Sequence, residues 1–233
     1  MAVFILDLLY PKRCPVCDEA LPLGTKICPI CEETLVKIQG PVCCKCGKHI
    51  EDDSEELCHD CEGNTHVFDS GLALYEYDVI HKSIYRMKYS GRSEYAQYFG
   101  EKLGAELGDR VKKWNADMVI SVPLHCTKLR TRGYNQAEIM AEKFADVIGV
   151  PYIKNCVLRT RKTTPLKELS PAQRQINLKN AFNIGEFDVE LKCIIIVDDI
   201  YTTGSTIDAI AKVLKENGAI SVHYVALAIG RGV

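Results

Sequence analysis

The sequence predicts an α/β fold built on a mostly parallel sheet, preceded by a small cysteine-rich domain. Three observations carry this. Apolar runs of strand length alternate with longer segments whose apolar positions recur every three to four residues. Nine of the twelve cysteines fall before residue 62, and cysteine pairs then disappear. The apolar run at 194–197 ends on two adjacent carboxylates and a Thr/Gly/Ser turn, which is not how a strand built only for packing ends.

At 233 residues and 47% hydrophobic content the chain suits one medium domain plus a small one. A net charge of −2 gives no global attraction to nucleic acid or to acidic membranes. The apolar stretch at 3–9 is too short to span a bilayer and lacks the flanks of a secretion signal, so it is expected to dock the small domain onto the large one. With no transmembrane segment in view, a cytoplasmic location is expected.

The cysteines come first in chain order. Four CxxC pairs stand at Cys14/Cys17, Cys28/Cys31, Cys43/Cys46 and Cys58/Cys61, with ten or eleven residues between successive pairs. A thiolate pair spaced this way supplies half of a tetrahedral zinc site, and a second pair closes it. Two structural zinc sites are therefore expected. Sequential pairing is favoured by the short closing loops, and interleaved pairing is the alternative. Cys44 breaks the spacing and is read as a bystander; Cys156 and Cys193 are read as small buried residues. Residues 1–66 hold twelve Asp/Glu against six Lys/Arg, a balance that suits docking better than phosphate binding. The domains are expected at 1–66 and 67–233.

The body follows in order. Residues 68–77 have strand character, 80–87 are apolar at helical spacing, and 93–114 form a long amphipathic helix. A buried strand at 117–122 ends at Pro123, and a helix at 134–148 meets Gly149 as its C-cap. Residues 152–158 suit a strand, 159–170 are polar and irregular, 171–180 suit a short helix, and 181–184 a short strand. The strand at 191–198 precedes a helix with Ile207, Ile210, Ala211 and Leu214 on one face, and 219–229 is the last strand. Trp114 is read as core.

The chemistry concentrates at three places. Asp198 and Asp199 are followed by Thr202, Thr203, Gly204, Ser205 and Thr206, which open a helix. A helix N-terminus presents unpaired amides and partial positive charge, hydroxyls add donors, and glycine admits a close ligand. Acids on ribose hydroxyls and the turn on a 5′-phosphate would hold a sugar phosphate. The second place is Pro123, Leu124, His125, Lys128, Arg130 and Arg132, a basic loop after a strand that suits pyrophosphate. The third, 159–180, carries six cations against Glu168 and reads as a lid. Tyr201, inside the acid-bearing segment, either packs over an acceptor or fills space.

Residues 193–206 resemble the phosphoribosyl-pyrophosphate signature of type I phosphoribosyltransferases. The loop from Pro123 through Glu138, the stretch from Arg159 through Phe182 and the cysteine pairs from Cys14 to Cys61 together resemble the ComF family of competence-related phosphoribosyltransferases. The resemblance implies a type I phosphoribosyltransferase sheet with an N-terminal double zinc ribbon. It implies phosphoribosyl pyrophosphate taken with Mg²⁺, and Asp198, Asp199, Arg161 and Lys162 as catalytic residues. It also implies a link to DNA uptake, with single-stranded DNA and competence proteins as partners. A protein that handles DNA or senses the ribose donor without base transfer is the alternative. Leu166 departs from the family, which usually has glutamine there, and this bears on acceptor recognition.

Overall fold

The structure, a computed structural model, describes residues 11–160 and 181–230. The expected docking segment at 3–9, the expected helix at 171–180, and Arg161, Lys162 and Leu166 lie outside the described residues.

The cysteine-rich region contributes two short helices, α1 (Pro29–Thr34) and α2 (His59–Glu62), each starting just after a cysteine. The predicted strand appears as β1 (Ser70–Glu76), followed directly by α3 (Tyr77–Tyr89) and α4 (Ser93–Val111). A 3₁₀ turn at Lys112–Trp114 leads into β2 (Met118–Ser121). Trp114 is half-buried, stacked on His223 with ring centroids 4.5 Å apart, and packs against the margin of the core rather than at its centre.

Pro123 has no N–H to continue a ladder, and β2 stops just before it. The basic loop holds a helix that periodicity did not reveal, α5 (Cys126–Arg132). Next comes α6 (Gln136–Ile148), capped by the Asn135 side chain accepting from Ala137 N at 3.1 Å and ended by Gly149 in the left-handed region. The predicted strand at 152–158 divides: Tyr152 makes an isolated parallel bridge to Val119, and β3 (Val157–Arg159) pairs antiparallel with β4 (Phe182–Ile184). The remaining elements are β5 (Cys193–Tyr201), α7 (Ser205–Glu216) and β6 (Ser221–Ile229).

The main sheet runs β1-β6-β5-β2, all parallel. Alternate residues of β5 serve opposite faces, as the strand period requires. Ile195 and Val197 pack with α3, α4 and α6, whereas Ile194 and Ile196 pack with Ile207, Ile210, Ala211 and Leu214 of α7. All four strand residues are fully buried, which is why the run reads as continuously apolar. α6 and α7 therefore cover opposite faces of the sheet. Parallel α/β sheets place ligands in the crevice outside the C-terminal ends of two strands whose helices diverge in this way.

The two cysteine clusters dock differently. The first packs on α3 and α4: Arg86 Nη1 donates to Val16 O at 2.7 Å, and Tyr95 Oη donates to Asp18. The second belongs to the same core as the α7 face of the sheet. There Tyr224 Oη donates to Cys46 O at 2.6 Å, and a Cβ on Gly47 would lie 2.7 Å from Gly71 O.

Candidate functional site: an acid pair, a basic crescent and two cysteine clusters

The signature strand does not stop at its acids. β5 runs on to Tyr201, pairing Asp198 with Ala226, Ile200 with Ala228 and Tyr201 with Ile229 of β6. On its other edge the last partner is Ser121, opposite Val197. The two carboxylates thus sit inside a strand, beyond the point where β2 has left. Being consecutive, they face opposite sides of the sheet.

Asp199 faces α3 and α6 and is buried. It forms an ion pair with Lys88 from the last turn of α3 and accepts from Gln136 Nε2 at 3.2 Å. Gln136 Oε1 in turn accepts from Arg132. Asp199 Oδ2 is matched in charge by Lys88 but accepts no hydrogen bond of ordinary geometry. Burial works to raise the Asp199 carboxyl, yet the Lys88 ammonium outweighs it and holds the group below the usual carboxylate range. Lys88 is correspondingly raised: burial opposes its charge, and Asp199 more than restores it. Asp198 behaves in the opposite way. Burial and the neighbouring Asp199 charge push its carboxyl well above the ordinary range. Its Oδ1 accepts from Asp199 N at 2.8 Å.

Four cations surround this pair. Lys128 is depressed by partial desolvation and by the charges of Arg159, Arg132 and Lys88, so those three cations lie within range of it. Arg159, at the end of β3, is lowered by burial and supported by Asp198, with its guanidinium 5.5 Å from the Phe182 ring centre. A crescent of like charges that together depress Lys128 is a site built to receive anionic charge.

Of the predicted loop residues, Lys128 and Arg132 reach the crescent. Arg130 is exposed in the last turn of α5, and Pro123 and Leu124 are half-buried in the turn out of β2. His125 caps its own helix, accepting from Thr127 N at 3.3 Å. Lys88 and Gln136 were not among the predicted site residues. Lys88 looks like any cation completing a helix C-terminus, and Gln136 stood within the quoted loop motif without a role.

The Thr/Gly/Ser turn joins the C-terminal end of β5 to α7. Gly204 adopts φ 75° and precedes α7, whose N-terminus has no side-chain cap. A Cβ on Gly204 would stand 2.7 Å from Tyr201 Oη and 2.9 Å from His66 Cε1, so no other residue fits without movement. Thr203 Oγ1 and Ser205 Oγ lie 3.0 Å apart, two hydroxyls beside free helix amides. Tyr201 is buried and stacked on Tyr224, ring centres 4.6 Å apart, so it fills core space rather than facing an acceptor.

The cysteine clusters are Cys14, Cys17, Cys28, Cys31 and Cys43, Cys46, Cys58, Cys61, the sequential pairing, with all sulfurs of a cluster within 4.8 Å of one another. Two separations, Cys17 to Cys28 at 3.8 Å and Cys46 to Cys58 at 3.6 Å, match the edge of a zinc tetrathiolate, about 3.8 Å for Zn–S bonds near 2.3 Å. Both clusters fit zinc with no open coordination position. Among the described residues these are the groups of three or more metal-ligating side chains. A hard cation at the acid pair would therefore rest mainly on oxygens of its ligand, as Mg²⁺ commonly does. Among the described residues no helix is long and apolar enough to cross a membrane.

Both parts of the chain are similar to known proteins. The double zinc ribbon domain matches residues 5–62, and the phosphoribosyl transferase domain matches residues 112–232. A DNA utilization protein YhgH from Shigella flexneri is 31% identical over 220 residues, 93% of this chain and 96% of that protein. Competence protein ComFC from Streptococcus pneumoniae is 28% identical over 226 residues, 92% of this chain and 99% of that one. Among solved structures, a purine phosphoribosyltransferase from Pyrococcus horikoshii aligns at 18% identity with a TM-score of 0.39, covering 57% of this chain and 74% of that one. With a double zinc ribbon ahead of a phosphoribosyl transferase domain and relatives spanning nearly its whole length, the chain belongs to the ComF family.

Proposed function

We propose that the protein binds phosphoribosyl pyrophosphate with Mg²⁺ in the crevice between β2 and β5 and transfers the phosphoribosyl group to an acceptor. The observation that carries this is the convergence of Asp198 and Asp199, an uncapped α7 N-terminus and the crescent of Lys88, Lys128, Arg132 and Arg159. Each part suits one part of the donor. The acids accept from ribose hydroxyls, the turn at 202–206 donates to the 5′-phosphate, and the crescent takes the pyrophosphate.

Mg²⁺ would be held by donor oxygens next to Asp198 and Asp199, and when bound supplies charge neutralisation to the departing pyrophosphate. The chain's own contribution is positioning. Lys88 keeps Asp199 ionised, so the strand offers an acceptor at neutral pH. Lys128 and Arg132 stabilise negative charge as it gathers on the leaving group, so no protein nucleophile is required. In this reading Arg161 and Lys162 come from a lid, the two units divide near residue 66, and the protein works in the cytoplasm, where zinc thiolates stay reduced. The test is a screen of nucleobases with donor and Mg²⁺, following released pyrophosphate. Acceptor-dependent release supports transfer; none with any base, despite donor binding, leaves a sensor.

A second reading, DNA handling, is favoured by the relatives' names and by one surface. Tyr85 and Tyr89 on α3 are 61% and 68% exposed with ring centres 5.0 Å apart. The Arg132 guanidinium lies 5.7 Å from the Tyr89 ring centre. Exposed aromatic rings beside a cation suit stacked bases of single-stranded DNA, each worth roughly 1–3 kcal/mol. Binding that weakens steeply with salt and with Tyr85→Ala plus Tyr89→Ala supports this reading; no binding at low salt removes it.

A further inference from the structure

The 5′-phosphate turn is not held only by its own domain. His66, in the segment that leaves the second cysteine cluster, places Nδ1 2.8 Å from Asp208 Oδ2, with its side chain 6% exposed. Val67 N donates to the other oxygen, Asp208 Oδ1, at 2.7 Å. Asp208 lies in the first turn of α7, and its own N donates to Gly204 O at 2.8 Å. The His66 ring also sits where a Gly204 side chain would be, and it stacks on Phe68 with centres 4.7 Å apart. A second route runs in parallel, from Cys46 O through Tyr224 Oη and the stacked Tyr201 ring, whose hydroxyl also crowds Gly204. Two lines of contact, joined at Phe68, which also meets the Tyr201 and Tyr224 rings edge-on, thus lead from one cysteine cluster to the same glycine.

We infer that His66 is a positioning residue for sugar-phosphate binding: through Asp208 and the space beside Gly204, it ties the second zinc ribbon to the turn at 202–206. The inference rests on the donor reading above. The physical content is that an uncapped helix N-terminus binds phosphate well only when its first turn is held in place. His66 and Val67 occupy both oxygens of Asp208, which can then neither swing back over the helix amides nor compete with the phosphate for them. Without His66, one carboxylate oxygen is released directly beside an anion site, where its charge repels the ligand.

The test compares two ligands on the full chain with zinc bound and Mg²⁺ present. Ribose 5-phosphate reports the turn, and inorganic pyrophosphate reports the crescent. His66→Ala removes a hydrogen bond to a charged group, so ribose 5-phosphate affinity should fall about tenfold. Pyrophosphate affinity and zinc content should stay at the wild-type values. His66→Asn, which keeps a donor near the position of Nδ1, should recover most of the loss. Asp208→Asn, which keeps an acceptor for Val67 N but has no charge to release, should leave ribose 5-phosphate affinity within a few-fold of wild type and recover most of the loss when combined with His66→Ala. Unchanged ribose 5-phosphate affinity in His66→Ala overturns the inference, as does equal weakening of both ligands or loss of zinc. If wild-type protein binds pyrophosphate but not ribose 5-phosphate, the donor reading itself fails, and that result is seen before any variant is compared.

Discussion

Replacing Lys88 by methionine isolates the electrostatic core of the site. Methionine keeps the stem length and helix propensity and removes the ammonium. The Lys88 side chain is 20% exposed and that of Asp199 5% exposed, so this is a largely buried pair. Removing one partner of a fully buried pair costs about 3–5 kcal/mol, and the partial solvent access of Lys88 brings the expectation to ~2–3 kcal/mol. The pH dependence carries the sharper signature. In the wild type Asp199 is held low, so its stabilising contribution is complete above the unfolded carboxylate range and is lost only as pH falls through the folded value. In the variant, burial acts on Asp199 without Lys88, and its carboxyl moves upward instead. Its charge then destabilises the fold near neutrality and is relieved by protonation on acidification. Urea unfolding of both proteins, with zinc in excess, should show the ~2–3 kcal/mol gap at pH 7.5 and a smaller gap at pH 5. A gap that is absent at pH 7.5, or that widens at pH 5, refutes the reasoning.

Three further expectations follow from the same contacts. His223 stacks on Trp114 and shares a 2.8 Å contact with Ser70 Oγ; burial lowers its pKa below the ordinary 6.5. The unfolded chain then binds the extra proton first, so stability should decline as pH falls below about 6.5, and His223→Gln should flatten that slope in thermal melts. The second cysteine cluster shares the sheet's core whereas the first forms its own, so Cys46→Ser should lower Tm more than Cys17→Ser. A loss of about 3 kcal/mol in a chain of this size is roughly 6–12 °C, and equal shifts would contradict the shared core. Gly204→Ala meets both a positive φ and two close contacts, so calorimetry should show ribose 5-phosphate binding weakened by about tenfold or more.

Much of this architecture was legible because single residues had one reasonable use. Ile194, Ile195, Ile196 and Val197 are stiff, apolar and consecutive, and only a strand covered on both faces buries all four. The cysteine pairs were legible for a similar reason, since short closing loops favour sequential clusters. The strand's true end was not. Carboxylates are poor strand residues, so the sequence pattern ends the run at 198, but β6 pairs as far as Tyr201 and Tyr224 covers that ring. The helix Cys126–Arg132 escaped notice because it buries none of its residues and so has no apolar stripe to betray it. Lys88 was hidden for a different reason. Its partner lies more than a hundred residues away, and only the packing of α3 against β5 joins them.

The central claim is that the acid pair, the turn and the crescent hold one pyrophosphorylated ribose. Calorimetric titration of phosphoribosyl pyrophosphate with Mg²⁺ into the wild type and into the Asp198→Ala, Asp199→Ala double variant tests it most directly. The account predicts Mg²⁺-dependent binding to the wild type and a loss of about a hundredfold in the variant, since one charged acceptor, Asp199, at roughly 1.5–3 kcal/mol and one neutral acceptor, Asp198, at roughly 0.5–1.5 kcal/mol are removed. Equal affinity in the two proteins would contradict it.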